Sequence, residues 1–395
     1  GDNVVKITWV TRSFRDYRIP VYAALDELCN HELTVIYYSD ACPQGAQAKL
    51  KAILGERAIA RTNELRIGNG KKLDNATKMK SSIRIPLSPG LIHQVIKTRP
   101  EALVSDGFMQ WTYAPLLVKA IKGIPHVMCY ERTEHTERRA GTLRKQYRRF
   151  VSKWIDVIDC NGVLCGEYVK KLLGWKDNRL TYGHMVADVE GMKSDVEKVT
   201  EIQVAALRED LQVAGTVLLF VGQLIDRKGV MELLAAWNEF KSKCHVPCTM
   251  VFVGTGEKEK IMKDIIEIHN IPNVVMAGSV PYENIPVFYR MADCFILPTM
   301  EDNWSLVIPE AMACGLPVAT TMYNGCHPEL VTKRNGWLFD SMDKNDIVRT
   351  LDDIIGKRHQ LKTMGENGRH IVEKYNAMNA AMGIMGAIHI AKKQK

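Results

Sequence analysis

Short β-branched runs alternate with amphipathic helical patterns along almost the whole chain, and they do so in two successive series. In the first series the strand candidates are residues 5–11, 33–39, 102–106, 126–130 and 157–165. In the second they are 217–222, 248–254, 273–278, 294–299 and 317–321. A β-branched run followed by a helical period, repeated, builds a parallel sheet covered by helices on both faces. The chain is therefore predicted to be an α/β protein of two doubly wound, Rossmann-like domains that face each other across a cleft. Residues 178–192 lapse into Gly and polar residues before a fresh helix over 196–211, which divides the chain into domains 1–185 and 186–377. Open α/β sheets bind ligands beyond the carboxyl ends of their strands, so the strand-end loops are the place to look for chemistry.

At 395 residues, with 46% hydrophobic and 25% charged residues, the chain has room for two cores of ordinary size. No run approaches the roughly 20 apolar residues of a membrane-spanning helix. The first residues enter a strand-like pattern with no basic and apolar leader ahead of them. The ten Cys are scattered, Cys244 and Cys248 being the closest pair, with no C-x-x-C and no His/Cys ligand spacing. They are read as reduced thiols, which predicts a cytoplasmic protein with no metal site.

The net charge of +8 is unevenly spread: residues 136–154 carry Arg138, Arg139, Arg144, Lys145, Arg148, Arg149 and Lys153. This stretch is predicted to be a basic helix. It is either a solvated helix face or a surface that meets anionic lipid, as a peripheral membrane contact, or a phosphate-bearing acceptor. Nucleic acid is not expected, because no interleaved aromatics, helix-turn-helix, zinc or RNP signature accompanies the charge.

Gly222 ends the strand at 217–222, and Lys228-Gly229 opens a helix whose Val230, Leu233, Leu234, Trp237 and Phe240 share one face. Such a turn lays backbone N–H groups against an anion, with Arg227 or Lys228 adding charge. Gly254 and Gly256 follow the next strand, where a ligand would come close to the backbone; lacking a third Gly, they are not a dinucleotide fingerprint. Each loop taken singly is equally a routine βα connection.

Residues 298–321, PTMEDNWSLVIPEAMACGLPVATT, put Glu301 and Asp302 in a loop, a helix start near Ser305, and Glu310 inside an apolar helix. A helix start there would offer free N–H groups and a positive dipole end to a phosphate. A carboxylate among apolar residues needs partners. Ribose hydroxyls would satisfy Glu310, and those of a second sugar would satisfy Asp302, so the spacing fits a nucleotide-sugar. The competing reading pairs Glu310 with a buried Lys or Arg and makes Asp302 a helix cap.

On these residues the chain resembles the GT-B-fold glycosyltransferases, specifically the retaining group known as family 4 (glycosyl transferases group 1). The resemblance runs in order through VGQLIDRKG, VFVGTGEKEK, residues 273–321 and the NGWLFD that follows. The family's donor signature is an acidic residue, seven residues and a Glu, which matches Asp302 and Glu310. Its first acid is usually Glu, and here Glu301 stands one place too early; either Asp302 takes the role or the loop shifts to use Glu301. The resemblance implies that Glu310 contacts the ribose. Asp302 and the backbone of Asn303, Trp304 and Ser305, with Leu306 beside them, would contact the transferred sugar. The family's phosphate-binding Arg is Gln223 here, whereas its Lys matches Lys228, which leaves Lys228 and Arg227 to carry the charge. The resemblance also implies metal-independent transfer, no cofactor besides a nucleoside diphosphate sugar (UDP or GDP), and a last helix, 378–395, that packs back on the first domain.

The first half would supply the acceptor side. Its first loop holds Arg12, Arg15 and Arg18, which meet an anionic ligand or are solvated loop cations. After the strand at 126–130, Glu131 stands where relatives often have a His, and His135 follows four residues later. Either is a candidate for proton transfer, with Asp302 and Lys228 as the other catalytic candidates; Glu131 and Arg132 forming structural ion pairs is the alternative. The loop at 105–108, SDGF, is expected at the same edge. The function expected is transfer of a hexose from a nucleoside diphosphate sugar to a glycan, lipid-linked or small-molecule acceptor, in polysaccharide or glycoconjugate biosynthesis. The rivals are a nucleotide-sugar epimerase or hydrolase of the same fold, and a non-catalytic nucleotide-sugar binding module.

Overall fold

A computed structural model of the chain describes residues 4–67 and 83–394. In chain order the first half contains β1 (Ile7–Val10), β2 (Leu33–Tyr38), β3 (Ala58–Arg61), a small antiparallel hairpin β4 (Leu65–Ile67) and β5 (Ile83–Ile85), then β6 (Ala102–Asp106), β7 (His126–Tyr130), β8 (Val157–Cys160) and β9 (Leu180–Tyr182). The second half contains β10 (Thr216–Val221), β11 (Cys248–Val253), β12 (Val274–Gly278), β13 (Cys294–Leu297), β14 (Val318–Thr321) and β15 (Gly336–Phe339). The first sheet has 7 strands in the order β3-β2-β1-β6-β7-β8-β9, and the second has 6 in the order β12-β11-β10-β13-β14-β15. Every pairing within these two sheets is parallel.

Helices cover both faces, which is why the central strands read as unbroken apolar runs: all residues of β1, β11 and β13 are buried. Burial of each large side chain of this kind contributes about 1.5–3 kcal/mol. In each sheet the strand order reverses once, between β1 and β6 in the first and between β10 and β13 in the second. The loops that leave those strands flank a crevice, the place where this architecture binds ligands.

Several strand ends fall earlier than expected. β8 stops at Cys160 because Gly162 turns the chain at φ 108, and a helix over Val163–Leu173 begins at once. β13 stops at Leu297, where Pro298 interrupts the ladder, and β1 is four residues long. The strands not foreseen are β3, β9, β15 and the hairpin, all short or at a sheet edge, where side chains are half exposed and the apolar pattern fades. The predicted single helix over 196–211 is two, Val189–Glu197 and Glu201–Asp210. Thr200 separates them and caps the second in a reciprocal box with Gln203.

The chain changes cores between Val186, packed with the first sheet, and Ala187, packed with the second. The last helix, Ala377–Lys393, lies in the first core through Ala381, Ile384, Ala387 and Ile388. Its methionines divide: Met385 is buried, whereas Met378 and Met382 are exposed, so Ala and Ile do the packing. The basic stretch is also shorter as a helix than expected, Thr142–Val151, because residues 131–141 form turns ahead of it.

Candidate functional site

The loops leaving β10 and β13 are stitched into one unit. Arg227 Nη1 donates to the Glu301 carbonyl at 2.9 Å and to Asp302 Oδ1 at 3.1 Å. Lys228 Nζ donates to Asp302 Oδ1 at 3.1 Å and to Oδ2 at 3.0 Å, and Thr299 Oγ1 donates to Oδ2 at 2.6 Å. Asp302 is therefore a counter-ion held by three side chains and not a helix cap. Its short side chain stops at Lys228, while Glu301 points to the other domain, 3.5 Å from Arg138.

Gly222, Gly254 and Gly256 serve these loops in another way than expected. At Gly254, with φ +139, a Cβ would stand 1.8 Å from the Gly222 carbonyl oxygen, and at Gly256 one would stand 2.5 Å from that of Leu224. The residues are glycine because two strand-end loops press backbone to backbone. Gln223 is exposed beside them.

The helix after β13 begins at Val307, with Leu306 half-buried ahead of it, not at Ser305. Glu310 thus lies in the first turn of a short helix. No cation among the described residues pairs with it: burial, then the Asp188 charge, push its pKa up to about 7. The Tyr289 hydroxyl stands near enough to offset part of that rise, yet has no hydrogen-bond partner itself. Nearby, Ser305 Oγ and Asn303 Oδ1 are also buried without partners. Trp304 turns away, its ring 6.0 Å from that of Tyr375 and packed against Gly162 of the first domain. It is a contact between domains, and only its backbone remains at the loop.

Across the cleft, the loops leaving β1, β6 and β7 enclose a cavity of about 540 Å³. Among its walls are Ser13, Tyr17 and Glu131, and the expected SDGF loop contributes Asp106, Gly107 and Phe108. Of the three arginines of the first loop, only Arg18 reaches it, buried and 3.1 Å from Asp106 Oδ1; Arg12 instead pairs with Glu64, and Arg15 is exposed. Five arginines line the cavity: Arg18, Arg132, Arg139, Arg144 and Arg148. Arg148 is buried, and its Nη2 meets Glu137 Oε1 at 3.0 Å. The basic stretch is therefore neither a plain solvated face nor a continuous surface patch, because part of it forms a cavity wall. The sequence signal for this was position: the run follows a strand end on the cleft side.

At the cavity floor Cys129 and His184 lie beside Asp159, which is fully buried with neither oxygen hydrogen-bonded. Burial raises the Asp159 pKa. No spacing in the sequence announced this cluster, since its members come from β7, β8 and the segment after β9.

Segment 131–139 joins the two sites. Glu131 and Arg139 face the cavity, whereas His135 Nε2 lies 2.8 Å from the Met300 carbonyl oxygen and its ring 4.7 Å from that of Tyr323. Of the four catalytic candidates, Glu131 alone lines the cavity, His135 bridges the domains, and Lys228 and Asp302 pair with each other.

Residues 207–371 match the model of the family described as glycosyl transferases group 1. Among curated proteins, the chain is 28% identical over 160 residues to the capsular polysaccharide biosynthesis glycosyltransferase CapM of Staphylococcus aureus, which covers 40% of this chain and 41% of that one. It is 27% identical over 163 residues to the GDP-mannose-dependent phosphatidylinositol monomannoside mannosyltransferase of Mycolicibacterium smegmatis, covering 39% and 42%. The chain spans less than half the length of the curated relatives it matches. Among solved structures, HepE of Anabaena in complex with UDP superposes with a TM-score of 0.73 at 15% identity, over 97% of this chain and 99% of that one. The trehalose-6-phosphate protein of Escherichia coli bound with UDP-2-fluoro glucose gives 0.69 at 9% identity, over 97% and 98%. These likenesses establish the fold.

Proposed function

Starting from a chain that carries a glycosyl transferases group 1 domain on a GT-B framework, we propose that it moves a hexose from a nucleoside diphosphate sugar to an acceptor bound by the first domain, with retention of configuration. The observation that carries this reading is Glu310: a half-buried carboxylate at a strand-end crevice with no cation beside it among the described residues. Two vicinal ribose hydroxyls would donate to it and supply the partners that burial removed. The unpartnered Ser305 Oγ and Asn303 Oδ1 would meet the donor beyond the ribose.

Departure of a nucleoside diphosphate leaves charge on phosphate and a sugar with oxocarbenium character, so fixed cations at the leaving group lower the barrier. In this reading Lys228 and Arg227 do that work with no divalent ion, and Asp302 keeps them in place until the diphosphate competes for them. UDP and GDP are the proposed carriers, because solved neighbours hold UDP and a curated relative is GDP-mannose-dependent. Glu131, in the cavity wall, is the proposed group to receive the acceptor's proton, and His135 a residue that holds the two domains in register. A capsular polysaccharide enzyme among the relatives supports a role in polysaccharide or glycoconjugate assembly.

Calorimetric titration with UDP, GDP, ADP and dTDP in the presence of EDTA tests the reading. One nucleotide should bind, and Glu310→Ala should weaken it at least about tenfold, as expected for losing hydrogen bonds to a charged acceptor. Equal affinity in wild type and variant, or binding only when a divalent metal is restored, would remove the donor-site role or the metal-free form of it.

A further inference from the structure

Resting on the acceptor-side reading of the first domain, we propose that the cavity between β1, β6 and β7 takes an acceptor bearing a phosphate group, held by Arg139 and Arg144 with the charges of the buried Arg148 and Arg18 behind them. Five arginines face it against three carboxylates, Asp106, Glu131 and Glu137. Two of those carboxylates are already engaged by Arg18 and Arg148. The cavity is thus left with more cation than its own acids neutralise.

The two buried arginines make the stronger point. Arg148 has Nε and Nη1 buried with no hydrogen-bond partner, and Arg18 has Nε in the same state, although both side chains are more than nine-tenths buried. Their charge is not fully spent on local partners and adds to that of the exposed Arg139 and Arg144, whose five-donor forks suit phosphate oxygens. The opposite wall, with Ser13, Tyr17 and Glu131, suits hydroxyl groups. A phosphorylated sugar or polyol meets both walls.

The phosphate has two chemical sources. The helix Thr142–Val151 turns Arg144 and Arg148 to the cavity and leaves Leu143, Tyr147 and Phe150 exposed, at 81%, 39% and 55%. Spaced at i, i+4 and i+7, they form one stripe beside the arginines. A phosphate ester with a long alkyl tail would use that stripe; a free sugar phosphate would not.

Methyl phosphate and dodecyl phosphate, titrated against the full chain, test the site. Arg139→Gln and Arg144→Gln, both at exposed positions that folding does not depend on, should each weaken methyl phosphate about tenfold, and Lys228→Gln should leave it unchanged. If Lys228→Gln removes binding while the arginine variants keep it, the phosphate sits on the donor loop and the proposal fails. It fails also if methyl phosphate does not bind, or if the arginine variants bind it as well as wild type. Given a site, dodecyl phosphate binding at least about tenfold tighter, with the gain lost in Phe150→Ser, assigns a lipid source; equal binding assigns a soluble one. A chain that binds methyl phosphate but no nucleotide keeps this site and loses the transfer role, so the two readings fail separately.

Discussion

The two crevices of this protein have the same topology and leave different polar groups without partners. In the second domain Arg227 and Lys228 are both hydrogen-bonded to the one carboxylate Asp302, and a second carboxylate, Glu310, has no cation beside it among the described residues. In the first domain two of the cavity's three carboxylates are engaged by buried arginines, and those arginines retain unused donors. One crevice calls for hydroxyl donors, the other for an anion. The difference teaches that a strand-order reversal supplies only the position of a site, while the polar groups left unfinished there specify what fills it.

The sharpest test of that contrast is Arg148→Met. Removing one member of a buried ion pair strands the other, and Glu137, at 6% exposure, would be left charged with only the Tyr130 hydroxyl for company. Denaturant unfolding should show a loss of about 3–5 kcal/mol. A loss under about 1 kcal/mol would mean that water reaches Glu137 and that the pair behaves as a surface ion pair.

Legibility in the sequence differed between the halves for a physical reason. The central strands of both sheets were readable because buried parallel strands are continuous apolar runs, and the loops of the proposed donor site were readable because the residues of each lie within a few positions of one another. Asp302 and Glu310 share one short loop-helix segment. The cavity of the first domain instead brings together Arg18, Asp106 and Arg148, which no local pattern connects. Its charge was visible as a basic run, but solvent and cleft sides of that run separate only when the helix is shortened to Thr142–Val151 and the turns before it fold over the cavity. The half-exposed edge strands β3, β9 and β15 escaped notice because they lack the apolar continuity of the central ones. A Thr at position 200 in a helical pattern gave the one available cue that the helix over 196–211 would break.

A second test sharpens the comparison through pH. The Glu310 pKa rises from the ordinary 4.5 to about 7 on folding, so the folded chain holds that proton more tightly than the unfolded one. The stabilising contribution is therefore complete below pH 4.5 and is lost as pH rises through 7, with a ceiling of about 3 kcal/mol. Glu310→Gln should lose less stability than wild type when unfolding is compared at pH 5 and pH 8. Glu329, also raised to about 7 by burial, keeps some slope in the variant. Nucleotide affinity should move the other way in the wild type and strengthen over the same interval, because the ionised carboxylate is the better acceptor for ribose hydroxyls. Identical pH profiles for wild type and Glu310→Gln would show that the carboxyl meets solvent, and the contrast between the crevices would lapse.

The smallest effect on stability is expected at Asp302, and it is informative for being small. Asp302→Asn removes the charge that Arg227 and Lys228 share, but the cations left behind are not sealed in: Arg227 is 44% exposed and Lys228 is 14%. Their solvation compensates much of what is lost, and the amide can still accept from Lys228 and Thr299, so the unfolding free energy should fall by only about 1 kcal/mol. Under the proposed function, transfer activity should fall further than stability does, because the same carboxylate would set where Lys228 stands relative to the leaving phosphate. A loss of stability as large as that of Arg148→Met would mean that the strand-end loops of the second domain depend on this cluster to fold. The paired charges would then be scaffold in both halves, and the cations of the proposed donor site would have to be sought elsewhere.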